Sequence, residues 1–165
     1  MKLQMEILLD DQAVDSISAI PASLEKHFWP YLHSYFSYED PRVDILFQHA
    51  SIGDFGYLVI HFYVRKKVKI TFRQGSPMMF LLTNLGPSLK CDVGDMPNQE
   101  FSNSCFNIFH LPNFSISLYP EANEKHYELM LLEIKDIKSL LDITNEKGAD
   151  SLKNMFSKMQ QKRDT

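Results

Sequence analysis

Hydrophobic and polar positions alternate over most of the chain between residues 43 and 134. In YLVIHFYV, one face of a strand would carry only apolar residues and the other face would carry rings and a histidine. The apolar face is Leu58, Ile60, Phe62 and Val64, and the other face is Tyr57, Val59, His61 and Tyr63. This period of two predicts a β-strand.

Further short runs of the same kind are separated by turn signals such as GSP and LGPS. These runs are LQMEILL, VDILFQHA, KKVKITFRQ, LKCDV, CFNIFHL, FSISLYP and HYELMLLEI. MMFLLTN is nearly all apolar, which is typical of a strand covered on both faces, and GDMPNQEF is interpreted as a loop. Seven or eight short strands at regular spacing predict a sandwich or a barrel.

Both ends of the chain show helical spacing instead. In PASLEKHFWPYLHSYF, apolar residues recur every four positions, with Pro21 near the start and Pro30 as a kink. The C-terminal part holds two helix candidates, DIKSLLDI and ADSLKNMFSKMQQK. We therefore expect residues 1–134 to form a β domain with an N-terminal helical segment, and residues 135–165 to form two C-terminal helices.

The last predicted helix has a stripe of large apolar residues at spacings of three and four. It either packs on the β domain or pairs with the same helix of a second chain, and two-fold homodimers are the commonest oligomers. We expect a homodimer with this stripe at its interface: Leu152, Met155, Phe156 and Met159.

Composition narrows the function classes. The net charge of −4 argues against binding of nucleic acid by this chain, which needs clustered lysine and arginine. The N-terminus lacks a secretory signal pattern, and no apolar stretch approaches the roughly 18 residues of a membrane span. We expect a soluble cytoplasmic protein without a membrane partner. Cys91 and Cys105 are expected to be buried, reduced thiols.

Motifs of catalysis and metal binding are not found in the sequence. It has no His-x-His pair, no pair of histidines one helical turn apart beside a glutamate, and no Gly-x-Ser-x-Gly elbow. Cys105 and His110 differ by an odd offset, which puts them on opposite faces of a continuous strand. We expect no catalysis, no cofactor and no metal, with hydrogen-bonded imidazoles as the favoured interpretation of the histidines.

Rings with polar tips give the candidate ligand-binding residues. Tyr57, His61 and Tyr63 share one strand face, and Ser117 and Tyr119 share another. Facing inward, such residues would line a pocket for a small organic molecule. Facing outward, they would be an ordinary sheet surface, and the residues alone favour this second interpretation. The candidate set is Tyr57, His61, Tyr63, His110 and Tyr119.

The stretch from about Gly56 to Leu141 resembles the N-terminal sensing domain of AraC-type transcription regulators, in the branch common in Bacteroidetes. The resemblance rests on KVKITF, on PMMFLLTNLGPSLKCDV and on FNIFHLPNFSISLYPEANEKHYELMLLEI. Within the last string, Phe106, Phe109, Leu111 and Pro112 match a corner pattern of that family, and Tyr127 leads the strand that precedes IKSLLD.

The resemblance implies a cupin-like double-stranded β-barrel, or jelly roll, that binds a small-molecule effector. Helices after the barrel would mediate dimerisation. DNA would be contacted only through a C-terminal helix-turn-helix module that is missing from this chain and that takes up roughly another 100 residues in a complete regulator of the family. The expected function is a non-catalytic regulatory domain.

Two alternatives stay open at this stage. One is a cupin-type metal-dependent enzyme acting on a small metabolite, with His61, His110 or His126 as ligands. The other is a stand-alone interaction module with a solid barrel.

Overall fold

Twelve β-strands and one 3₁₀ helix make up the part of the chain that the structure describes. A computed structural model describes residues 5–32 and 34–136. The helix is Ala22–His27. The strands are β1 (Glu6–Leu9), β2 (Gln12–Ala13), β3 (Ser34–Asp40), β4 (Val43–Ile52), β5 (Phe55–Val64), β6 (Ile70–Gln74), β7 (Met78–Asn84), β8 (Leu89–Val93), β9 (Met96–Phe101), β10 (Phe106–Leu111), β11 (Phe114–Tyr119) and β12 (Lys125–Ile134).

The strands form two six-stranded sheets. Sheet I has the order β2-β1-β6-β11-β8-β9, and sheet II has the order β10-β7-β12-β5-β4-β3. Neighbouring strands pair antiparallel, as in the long register of β12 with β5. From β5 to β8, and again from β9 to β12, each connection crosses to the opposite sheet. The mainly-β prediction is therefore confirmed as two antiparallel sheets.

Apolar side chains from both sheets fill the space between them. The inward residues of β5 are Leu58, Ile60, Phe62 and Val64, as the period of two predicted for one face. Across the interface, the ring centroids of Phe47 and Phe72 lie 5.2 Å apart in an edge-on contact. The burial of many such side chains is the main stabilising contribution expected for this fold.

The predicted N-terminal helical segment is wrong beyond its first six residues. Chain 22–27 is a 3₁₀ helix, and Phe36 lies in strand β3 instead of on a helical face. Two causes are visible. Pro30 disfavours the α conformation at Trp29, and the Gln48 side chain hydrogen-bonds the backbone of Trp29 and Leu32 in place of helical partners.

Strands β2, β3 and β9 were not predicted from the sequence. Residues 96–101, interpreted as a loop, form strand β9. Pro97 is tolerated there because β9 lies at the edge of sheet I, where one side of the strand needs no ladder partner. Strand β3 replaces the end of the predicted helix and pairs with β4.

The predictions for the cysteines, the C-terminal helices and a membrane span have different outcomes. Both cysteines are free, but Cys105 is exposed and only Cys91 is buried, because β10 follows a surface turn. The two C-terminal helices, with Leu152, Met155, Phe156 and Met159, lie outside the described residues. Within residues 5–32 and 34–136, no helix has the length and apolar character needed to cross a membrane.

Candidate functional site

The outer face of sheet II carries a second layer of buried side chains. From β4 come Asp44, Leu46 and Gln48, each no more than 1% exposed. They point away from the inter-sheet core, because their neighbours Val43, Ile45 and Phe47 are the residues of β4 that belong to it. Residues 21–32 lie over this face, and we call them the covering segment.

Two buried polar residues of β4 hold the covering segment in place. The Ser23 hydroxyl donates a hydrogen bond of 2.6 Å to Oδ2 of Asp44, whose carboxylate also pairs with Arg65. Four residues along the strand, Gln48 accepts from the Trp29 backbone N–H at 2.8 Å. The Gln48 amide also donates to the carbonyl oxygens of Trp29 and Leu32 at 2.8 and 3.2 Å. The segment is thus fixed near both of its ends.

An apolar contact completes this attachment. Trp29 is 8% exposed and packs with Val59 and Met130 of the outer face, with Leu32 and Leu85 partly buried beside them. This small cluster is separate from the inter-sheet core. Burial of a tryptophan side chain contributes a large apolar area, so the covering segment is held by packing as well as by hydrogen bonds.

Three histidines meet between these two attachment points. His27 ends the 3₁₀ helix, His61 lies on β5, and His126 lies on β12. Nδ1 of His61 is 3.1 Å from Nε2 of His126. The rings of His27 and His126 stack with centroids 3.5 Å apart and planes 4° from parallel. One nitrogen from each histidine falls within 4.8 Å of the others.

A buried carboxylate lies beside the histidines. Glu128 is directly opposite His61 in the register of β5 and β12. It is 1% exposed, and its Oε2 is 4.0 Å from Nδ1 of His61. The backbone at Glu128 is itself closely packed, since its carbonyl accepts from Leu85 N–H at 2.9 Å. A Cβ at Gly86 would come within 2.8 Å of the Glu128 nitrogen, so only glycine fits there.

Neutral imidazole nitrogens and a carboxylate are ligand groups for a transition-metal ion. The same groups can also form a hydrogen-bonded imidazole network, since each neutral ring carries one donor and one acceptor. Because His27 belongs to the covering segment while His61 and His126 belong to the sheet, either arrangement links the two parts of the site.

The five predicted ligand-binding residues do not form one site. His61 lies in the histidine cluster. Tyr57 is buried on the same face, packed with Leu81 and Leu132, and burial raises the pKa of its hydroxyl. The half-buried Tyr63 ring lies under the Arg65 guanidinium at 5.3 Å.

The remaining two predicted residues lie elsewhere. His110 is exposed on β10, the edge strand of sheet II. Tyr119 lies on sheet I and lines a surface cleft of about 380 Å³ with residues of β8 and β9. Its hydroxyl donates to Oδ2 of Asp92 at 2.6 Å, and this hydrogen bond raises the pKa of Tyr119 and lowers that of Asp92.

His27 and Glu128 were not predicted from the sequence as members of the site. His126 was named only as a ligand of the alternative enzyme. The residues next to His126 follow from the register of β12 with β5. That register depends on the tertiary fold and could not be predicted from the local sequence. No local signal indicated that His27 would lie over β5.

Comparison with known proteins gives structural likenesses only. No protein-family model and no curated protein match the chain. A crystal structure of FeII HppE covers 65% of this chain and 59% of its own length, at 10% identity and a TM-score of 0.48. The Schizosaccharomyces pombe Cnp3 cupin domain covers 56% of this chain and 66% of its own length, at 10% identity and a TM-score of 0.44.

A Klebsiella pneumoniae protein with a double-stranded β-helix domain covers 59% of this chain and 81% of its own, at 6% identity and a TM-score of 0.45. The chain thus spans less than two thirds of the first two proteins.

Proposed function

We propose that this chain is the effector-sensing and dimerising domain of an AraC-like transcription regulator, cytoplasmic and without catalysis of its own. The resemblance in residues 56–141 supports the family. The observation that carries the sensing role is the cluster of polar side chains that joins the covering segment to the outer face of sheet II, separate from the apolar inter-sheet core.

A site built from two parts suits a sensor. A ligand that contacts both the covering segment and sheet II stabilises the conformation in which they are together. It shifts the equilibrium by its difference in affinity for the two arrangements, and no bond of the ligand needs to change. The stripe of Leu152, Met155, Phe156 and Met159 would transmit such a shift to a second protomer.

DNA binding is assigned to a helix-turn-helix module outside this chain. The net charge of −4 accords with a domain that does not clamp phosphates itself. A reading frame that encodes such a module after Thr165 would support the assignment. A reading frame that continues into an unrelated catalytic domain would contradict the assignment.

Fusion to a DNA-binding module that needs dimerisation tests the function directly. Residues 1–165 joined to such a module should occupy a two-half-site operator, measured by gel shift and by light scattering. Phe156→Asp should abolish both the dimer and the occupancy, because a charge at an apolar dimer interface is costly to desolvate.

The matched control is Ser157→Asp, which introduces the same charge one position away from the predicted stripe. It should leave the dimer intact. A parent fusion that is monomeric and leaves the operator free, or a Ser157→Asp variant as defective as Phe156→Asp, contradicts the proposal.

A metal-dependent enzyme is the second candidate, favoured by the proximity of His27, His61 and His126. An enzyme would convert a metabolite chemically, whereas a sensor would only bind it. The metal-loaded chain would be incubated with a metabolite extract and followed by NMR. Consumption of one metabolite that stops when a chelator is added favours the enzyme, whereas an unchanged extract favours the sensor.

A further inference from the structure

We propose that His27, His61 and His126 bind a divalent transition-metal ion between the covering segment and the outer face of sheet II. Imidazole nitrogens suit zinc, copper, nickel, cobalt and iron more than magnesium or calcium, which prefer oxygen ligands. This site is separate from the inter-sheet core, where the side chains are those of the apolar cluster.

The spacing of two of the ligands agrees with coordination. Zinc–nitrogen bonds of about 2.0–2.1 Å in a tetrahedron place two ligating nitrogens about 3.3 Å apart. Nδ1 of His61 and Nε2 of His126 are 3.1 Å apart. The third imidazole, His27, has a nitrogen within 4.8 Å of the other two. Because its ring stacks parallel on that of His126, it would turn out of this stack to complete the set.

Burial divides the ligands into a fixed part and an accessible part. His61 is 1% exposed and lies in the middle of β5, so its position is set by the sheet. His27 and His126 are half-buried. An ion can therefore enter from the side of these two rings and keep one coordination position for water or for a small ligand, as catalytic and exchangeable sites do.

Charge also favours a cation at this position. The Glu128 carboxylate is 1% exposed and lies 4.0 Å from Nδ1 of His61. In a poorly solvated environment, a negative charge at this range lowers the free energy of a divalent cation far more than it would in water. Glu128 is thus placed to complete the coordination or to balance the charge of the ion.

The ion would join three elements that are far apart in the chain: the 3₁₀ helix, β5 and β12. Its binding would fix the covering segment on sheet II through His27. That this ion is the effector rests on the proposed function, whereas the binding itself does not.

Titration with Co²⁺ tests the site, because bound Co²⁺ absorbs in the visible according to its ligands. The tag-free chain is titrated with Co²⁺ after chelator treatment, and then with Zn²⁺ as competitor. We expect one Co²⁺ per chain, with the spectrum of a nitrogen-rich site, and full displacement by Zn²⁺. Absence of a saturating visible band overturns the proposal.

The variant His27→Gln and its control locate the ion. His27 is half-buried on the covering segment, so the sheets should fold without it, and far-UV circular dichroism checks this. His27→Gln should weaken Co²⁺ binding roughly tenfold or more, because one of three protein ligands is lost. His110→Gln, the matched change at an exposed histidine on β10, should leave the affinity unchanged.

Equal affinity in wild type and His27→Gln, or equal losses in His27→Gln and His110→Gln, overturns the site. The fusion described above separates the two proposals. A dimeric fusion whose operator occupancy ignores Zn²⁺, in a chain that binds one Co²⁺, contradicts the effector role alone. A monomeric fusion that still binds Co²⁺ contradicts the regulatory function alone.

Discussion

Two cysteines show how strongly the environment of a single residue sets its chemistry. Cys91 is 1% exposed, and burial, aided by the nearby negative charge of Asp92, raises the pKa of its thiol to about 12. Cys105 is exposed at the start of β10. Because the thiolate is the reactive form, the two side chains should differ in reactivity by orders of magnitude.

The expected result is one reactive thiol per folded chain. At pH 8, a thiol of pKa about 12 is ionised in about one molecule in ten thousand. Ellman's reagent should therefore modify Cys105 quickly and Cys91 only after unfolding in guanidinium chloride. Cys105→Ser should remove the fast phase. Two fast thiols in the native protein would show that Cys91 is accessible and ionisable.

At the same scale, the sequence could predict faces but not partners. The period of two in YLVIHFYV predicted that His61 lies on the other face of the strand from Ile60 and Phe62, and the structure confirms that alternation. It could not show that His27 would stack on His126, which lies 99 positions later in the chain. Contacts of this kind depend on tertiary packing, and the local sequence pattern does not predict them.

Among the elements, the covering segment is the one whose structure depends most on a single distant side chain. The Gln48 side chain is fully buried and makes three hydrogen bonds with the backbone of the covering segment. Removing such a partner leaves buried backbone groups unsatisfied, which costs about 1–3 kcal/mol for each group.

We expect Gln48→Ala to lower the free energy of unfolding by about 2–3 kcal/mol. Urea denaturation followed by tryptophan fluorescence is the appropriate measurement, because Trp29 is the only tryptophan and its backbone makes two of these hydrogen bonds. Gln12→Ala, the same change at an exposed position of β2, should stay within about 0.5 kcal/mol of the parent. Equal costs for both variants would mean that Gln48 does not hold the segment.

Element prediction succeeded where the local pattern and the tertiary environment agree. The strands β5, β6 and β12 have alternating sequences and pair along their whole lengths. The stretch after Pro21 has helical spacing, yet its backbone bonds to Gln48 and β3 pairs with β4 instead. Tertiary contacts overrode a local preference there, as they commonly do for short segments.

At the scale of the whole molecule, the two sheets enclose a core of side chains from nearly every strand. The ring contacts Phe47 to Phe72 and Phe80 to Phe114 join sheet II to sheet I at 5.2 and 5.1 Å. A sandwich or barrel was predictable from the number and spacing of apolar runs. The sequence did not predict which strands would be buried on both faces. The second face of sheet II is covered by residues 21–32, whose spacing resembled that of a helix.

We expect the binding chemistry of this protein to lie on the outer face of sheet II and not between the sheets. Crystals of the chain loaded with Zn²⁺ or Co²⁺, measured on either side of the metal absorption edge, test it most directly. We expect one strong anomalous peak within coordination distance of His27, His61 and His126. An anomalous peak between the sheets, or none near these three histidines, would contradict it.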